Sequence, residues 1–400
     1  MISKERKIID SLENRKLVIL FVLVTILGLA IRISLFNFRS NDFINFLNPW
    51  YIEIKKLGGL NALRRQVGNY GITYQFLIAL FTYLPGKSLY WYKGLSVFFD
   101  FVLALSGGLL AQRVSKKSGN SIFIFTYSML LILPTIFFNS SLWGQCDSIY
   151  TSFIILSLLQ LSRRKNISSF IFLGIAMAFK FQTIFILPLF FLVYLLRKDF
   201  SISYFLISLF SFYVCCLPGI IMGRGLLAPI KIYLSQTANQ PGLSFGYPNF
   251  IALFAKAAGK NFAWYQMLHR SAILLTFTIL CIGLVYILSQ KTNIKSYDIL
   301  IYAAWTTWTF VMFMPDMHDR YGYLAEIFLI ILSIIRTRYA LNATVSIINS
   351  ILMYSVFLFG LSVDWTVVSY IEILNYFIFT LLVFNEKTID NCFRKLLGNR

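Results

Sequence analysis

Five consecutive residues, Trp143-Gly144-Gln145-Cys146-Asp147, stand between two stretches of nearly unbroken apolar sequence. They set a tryptophan, a glycine, an amide and a carboxylate where a membrane helix should meet water. Charge near hydrocarbon is costly and usually marks function. Other reactive residues are similarly placed. Asp42 follows the first apolar run in Ser40-Asn41-Asp42-Phe43, and Lys180 and Gln182 interrupt the apolar segment 167–196. His318, Asp319 and Arg320 fall in Met314-Pro315-Asp316-Met317-His318-Asp319-Arg320-Tyr321.

A carboxylate beside a cavity takes a proton from a hydroxyl nucleophile, so Asp42 is a candidate general base. It also fits a solvated loop acid, with Phe43 and Phe46 holding the loop at the membrane. Asp147 opens a helix, where an acid complements the dipole and the free first-turn N–H groups. Gly144 and Tyr150, one turn either side, leave a binding role open as well, and Trp143 and Gln145 are assigned with Asp147 to the substrate. Each half of the segment around Lys180 has about 13 residues and rises about 20 Å, in a hydrocarbon core about 30 Å thick. The ammonium therefore has to snorkel, pair with a carboxylate or line a cavity. The expectation is a cavity cation that, with Gln182, holds a lipid-borne phosphate.

His318 and Arg320 precede a span, where helix-terminal N–H groups favour an anion. A guanidinium grips phosphate through two parallel hydrogen bonds. A charged surface loop is the alternative. His269, the other of two histidines, reads as an unremarkable residue at a helix start. Asp100, mid-span, is expected to pair inside the bundle with Lys93, two turns earlier. Cys146, Cys215, Cys216, Cys281 and Cys392 suit neither a zinc site nor a disulfide framework, and Cys215 and Cys216 read as packing residues.

These residues need a membrane bundle to position them. Of 400 residues 58% are hydrophobic and 13% charged, and mean hydropathy is +0.72. One soluble core could not hide so much apolar surface, whereas a bilayer accepts it. The formal charge of +20 is read as basic cytoplasmic loops meeting anionic lipid rather than as a nucleic-acid surface. Apolar runs predict spans at 17–36, 90–112, 121–138, 146–162, 201–220, 269–289, 298–314, 321–335, 342–360 and 366–384, with two short helices meeting at Lys180. Clusters such as Arg113/Lys116/Lys117, Arg163/Arg164/Lys165 and Arg336/Arg338 then fall on the side of the N-terminus.

The expected fold is an all-α polytopic transmembrane bundle of about 12 crossings with both termini cytoplasmic. Residues 1–16 form the cytoplasmic N-terminus, 17–385 a single membrane domain and 386–400 a cytoplasmic tail. Long external segments cover 37–89 and 221–268. In the first, 47–57 and 73–84 are expected as interfacial helices, with Trp50 and Tyr51 at headgroup depth. All the unusual polar residues then lie on the extracytoplasmic side.

Asp42 after the first span, the WGQ-x-D run at 143–147, Ala178-Phe179-Lys180-Phe181-Gln182 and Met317-His318-Asp319-Arg320-Tyr321 together resemble the GT-C superfamily of integral-membrane glycosyltransferases. The likeness is to bacterial members related to the dolichyl-phosphate-glucose and dolichyl-phosphate-mannose enzymes, and extends in order from about residue 40 to 325. It implies a polyprenyl-phosphate-linked hexose donor and inverting transfer on the extracytoplasmic face of the cell membrane. It also implies Asp42 as base and the His318-Asp319-Arg320 motif at the donor phosphate; Tyr321, next to that motif, is assigned to the substrate. Some members carry paired acids in the first loop. Here the neighbour is Asn41, so no metal site is assigned and no cofactor is required. No large soluble domain accompanies the bundle, which favours a glycan or lipid-linked acceptor over a protein.

The chemistry is consistent with this resemblance. A lipid phosphate leaves readily, so transfer needs a base for the acceptor hydroxyl and fixed cations for the departing charge. The rival readings are a lipid-glycan flippase or transporter, whose site would sit near the midplane at paired broken helices, and a polysaccharide polymerase or ligase with a lipid diphosphate donor. The run Gly242-Leu243-Ser244-Phe245-Gly246-Tyr247-Pro248-Asn249 reads equally as a lid or a plain connection.

Overall fold

Apolar runs with few helix breakers fold as helices because a helix satisfies its backbone groups internally, which hydrocarbon demands. A computed structural model describes residues 3–115, 120–238, 242–258 and 262–385. Lys116, Lys117 and the expected tail at 386–400 lie outside them. In chain order the helices are α1 (Ser3–Ser34), α2 (Asn48–Lys56), α3 (Ile72–Phe81), α4 (Ser88–Ser115), α5 (Ser121–Ile132), α6 (Pro134–Phe137), α7 (Asp147–Ser162) and α8 (Asn166–Phe179). They continue as α9 (Leu187–Arg197), α10 (Tyr204–Ile221), α11 (Ala228–Ala238), α12 (Ala252–Ala258), α13 (Phe262–Gln290), α14 (Ser296–Phe313), α15 (Tyr323–Ile335), α16 (Ala340–Phe359) and α17 (Trp365–Phe384). Among the described residues the only sheet is a parallel pair, β1 (Ser244–Phe245) and β2 (Met317–His318), with Ser244 opposite Met317 and Phe245 opposite His318.

The fold is all-α, and the chain is a multi-pass membrane protein. Among the described residues six helices are long and apolar enough to cross a bilayer, and seven if the bent pair Ser121–Ile132 and Pro134–Trp143 is one span. Their outward faces are apolar at Val18, Ile26, Phe210, Leu274 and Ile282, as lipid contact requires. The other expected spans are realised as shorter helices, such as α7 with 16 residues and α15 with 13. The expected break at Lys180 is present: α8 ends at Phe179, a 3-10 turn covers Phe181–Ile186, and α9 follows.

The chain divides into two units, residues 1–180 with 205–232, and residues 181–204 with 233–400. In the first, α4 packs against α5 and α7, and α7 against α8. Gly174 lets α8 close on α10, since a Cβ there would strike the Ser208 carbonyl, and the Ser208 hydroxyl donates to the Phe170 carbonyl at 2.8 Å. In the second, α14 to α17 pack around Trp305, Trp308 and Tyr376, and the buried Glu372 carboxylate accepts from Asn349, Ser346 and Tyr247.

Buried charge in the first unit departs from one expectation. Asp100 pairs with Arg32 of α1 at 2.7 Å, not with Lys93, and also accepts from Ser140. Seven residues of helix separate Lys93 from Asp100 by about 10 Å along the axis, beyond ion-pair reach. Lys93 instead donates to the carbonyls of Leu35, Phe36 and Phe38 at 3.0, 3.1 and 2.7 Å. Carbonyls past a helix C-terminus have no intrahelical donor and attract a cation, so Lys93 ties down the chain leading from α1 to Asp42.

The first long segment carries the two short helices α2 and α3, which bury several of their side chains. Tyr51 is buried within the protein, and its hydroxyl donates to the Phe81 carbonyl. Residues Ile72, Tyr74, Gln75 and Ile78 of α3 are also buried. Arg224, after α10, reaches into this segment and donates to the carbonyls of Leu63 and Arg65 and the side chains of Gln66 and Gln75. Burial lowers its pKa to about 10, still protonated at neutral pH.

Removing one partner of a buried ion pair strands the other charge, which typically destabilises by about 3–5 kcal/mol. Arg32→Met is therefore expected to lower the unfolding temperature in detergent sharply, and adding Asp100→Leu to recover most of the loss. A double variant no better than Arg32→Met would contradict this account of the pair.

Candidate functional site

The site in the first unit is built on a sharp turn. Leu133 is extended, as a residue before proline prefers, and Pro134 restarts the chain at 50° to α5. A π-helical turn follows at Phe138–Trp143, a rare conformation frequent at functional sites. Gly144 ends it at φ +81°, which glycine adopts without steric cost. The turn is locked by Gly144 N–H to the Ser140 carbonyl at 3.0 Å and Gln145 N–H to the Asn139 carbonyl at 2.9 Å. The Ser40 hydroxyl donates to the Trp143 carbonyl at 2.8 Å, which joins the turn to the Asp42 loop.

That join brings Asp42 to the 143–147 run. The Trp143 indole N–H and the Gln145 amide donate to the same oxygen, Asp42 Oδ2, at 2.8 and 2.7 Å. Trp143 and Gln145 are buried, whereas Asp42 keeps partial exposure. The two residues expected to touch substrate thus turn their polar groups to the carboxylate and fix its rotamer. A partly exposed carboxylate held this way can accept a proton from a hydroxyl or hydrogen-bond to one. Tyr70, which sequence reasoning passed over, donates to Gln145 Oε1 at 3.0 Å.

Lys180 and Asp147 form a buried ion pair. Of the three fates open to a buried ammonium, pairing is realised, and the cation of the expected phosphate cavity carries its own counter-charge. Lys180 lies at the C-cap of α8 and 5.5 Å from the Tyr150 ring. Asp147 is the first residue of α7 and accepts from Asn139 at 3.0 Å on its other oxygen. Asn139 thereby serves both halves, with its backbone closing the turn and its side chain holding Asp147.

The second unit holds the remaining candidates. Gln182 is buried in the 3-10 turn, and among the described residues its amide oxygen has no hydrogen-bond partner. His318 ends β2, stacks on Phe245 with ring centres 4.9 Å apart and lies 5.0 Å from Tyr321. Tyr321 N–H closes a turn on the His318 carbonyl, and the Arg320 guanidinium is 3.8 Å from Asp319. His318, Arg320 and Tyr321 are all half-buried just before α15. Gly246, at φ +102°, passes against Asp319, where a Cβ would come within 3.1 Å.

His269 is not an unremarkable helix-edge residue. Its Nε2 is 2.7 Å from Asp316 Oδ2, and Asp316 also accepts from Gly242 N–H at 3.3 Å. Asp316 sits in the left-handed region at φ +63°. The signal available in the sequence was scarcity, since this chain has two histidines. Behind this loop Tyr247 is buried against Glu372, and burial pushes its phenol well above its ordinary pKa. Among the described residues no group of three or more His, Cys, Asp or Glu is placed to hold a metal ion.

No protein-family model matches the chain, and no curated protein matches it. The functional reading therefore stands on chemistry and geometry.

Lys180→Met leaves Asp147 buried without its cation and is expected to destabilise by about 3–5 kcal/mol. Combined with Asp147→Asn, the loss is expected to fall well short of the sum of the single variants, a double-mutant cycle read from unfolding in detergent. Strict additivity would mean that the two groups do not depend on each other.

Proposed function

We propose that the chain is a GT-C type glycosyltransferase that moves a hexose, of glucose or mannose type, from a polyprenyl-phosphate donor to a glycan or lipid-linked acceptor, with inversion. In this reading it crosses the cell membrane about 12 times, with both termini cytoplasmic and the reaction on the extracytoplasmic face. The observation that carries the proposal is Asp42, a partly exposed carboxylate fixed by the Trp143 indole and the Gln145 amide. Such an acid is oriented for use, since a base must be held within hydrogen-bond reach of the proton it takes.

The reaction is written as one displacement. The acceptor oxygen forms a bond to the anomeric carbon as the bond from that carbon to the phosphate oxygen breaks, and the electron pair leaves with the polyprenyl phosphate. Asp42 takes the hydroxyl proton. Arg320 and His318 are assigned to the phosphate, where a guanidinium offers two parallel donors and an imidazole one. Gln182 is assigned there through its amide N–H groups, and Tyr321 to the substrate. Asp147 satisfies the charge of Lys180, so the pair is reassigned to holding the shape of the helix break. Trp143 and Gln145 become positioning residues for the base.

The test uses purified protein in lipid nanodiscs with defined polyprenyl-phosphate glucose and mannose and a panel of glycan and lipid-linked acceptors. Asp42→Asn is expected to lower transfer by about 10²–10⁴-fold, the usual contribution of a general base, while donor binding and unfolding temperature stay near those of the parent. Transfer by Asp42→Asn at the parental rate would remove Asp42 from the mechanism.

A further inference from the structure

We infer that Tyr70 is a positioning residue for Asp42, acting through Gln145; the inference rests on the transferase reading above. The hydroxyl of Tyr70 donates to Gln145 Oε1 at 3.0 Å, and the amide nitrogen of the same side chain donates to Asp42 Oδ2 at 2.7 Å. An amide side chain presents an acceptor at one corner and donors at the other. A donor fixed on Oε1 therefore turns the NH₂ toward the carboxylate and resists rotation of the amide. The Trp143 indole grips the same oxygen from a rigid ring. Tyr70 thus governs the more adaptable of the indole and amide donors.

Tyr70 is itself fixed from several directions. Its ring meets Trp50 edge-on at 5.7 Å and Tyr74 at 4.7 Å. Gly68, at φ +72°, packs its backbone against the Trp50 ring, where no Cβ would fit. Gln66 donates to the carbonyls of Gly68 and Tyr70 at 3.0 and 2.7 Å, and Arg224 in turn donates to Gln66 Oε1 at 2.7 Å. An unbroken run of hydrogen bonds and one side chain's length of ring therefore links Arg224, Gln66, Tyr70, Gln145 and Asp42. A residue of the second long segment sets the base at the start of the first.

Tyr70→Phe removes the hydroxyl and keeps the ring contacts. With polyprenyl-phosphate glucose or mannose as donor, kcat is expected to fall about tenfold with KM unchanged, since a misplaced catalytic group loses rate rather than affinity. In a Gln145→Ala background Tyr70→Phe is expected to add no further loss. A second readout needs no turnover. In protein labelled with ¹⁵N-tryptophan, the Trp143 indole resonance, assigned by Trp143→Phe, reports the contact with Asp42. It is expected to move in Tyr70→Phe and in Gln66→Leu, which loosens the turn without touching the ring. Parental kcat with an unmoved resonance, or full additivity with Gln145→Ala, would overturn the inference. Absence of transfer by the parent protein would reject the transferase reading, while a shifted indole resonance would still uphold the coupling of Tyr70 to Asp42.

Discussion

Every charge placed inside this apolar bundle has to be answered locally, because hydrocarbon offers no solvent to do so. In the first unit the answers take two forms. Arg32 and Lys180 are met by Asp100 and Asp147. Lys93 and Arg224 are met by backbone carbonyls and neutral side chains. Each solution also fastens a distant piece of chain, so the electrostatic requirement builds the architecture. Lys93 secures the exit of α1, Arg224 secures the first long segment, and Lys180 secures the end of α8.

Asp42 is held by neutral donors from the 143–147 run. A tryptophan indole and a glutamine amide both donate to its Oδ2 and orient it. This grip sets the direction of the Asp42 carboxylate. It depends on the 134–147 turn, in which Pro134, the π-helical turn and Gly144 reverse the chain so that Trp143 and Gln145 face the same oxygen. The irregular backbone of this turn is closed by the hydrogen bonds of Ser140, Asn139 and Ser40.

Much of this was legible in the sequence. Long apolar runs announced the helices, and polar Lys180 within one of them announced a break, because a charge at that depth cannot sit in a continuous lipid-facing helix. Asp42 and the 143–147 run each stand out in the sequence, since both put polar groups beside hydrocarbon. Their union does not, because no periodicity links residues a hundred positions apart. The same blindness misassigned Asp100: sequence spacing shows neighbours along one helix and is silent about which helix packs against it. Tyr70 went unnoticed in the loop Gly68-Asn69-Tyr70-Gly71, where only the flanking glycines hint at a defined turn. The sequence marks Trp143 and Gln145 without showing that their polar groups meet Asp42, since a side chain's direction is decided by tertiary contacts.

The account stands or falls on chemistry at the anomeric carbon, which stereochemistry reads most directly. Parent protein in nanodiscs would be given a polyprenyl-phosphate hexose of known anomeric configuration, and the product followed by proton NMR. The account predicts one equivalent of polyprenyl phosphate released for each hexose transferred, with the anomeric configuration inverted. Donor that crosses the bilayer with its sugar intact, or product of retained configuration, would contradict it.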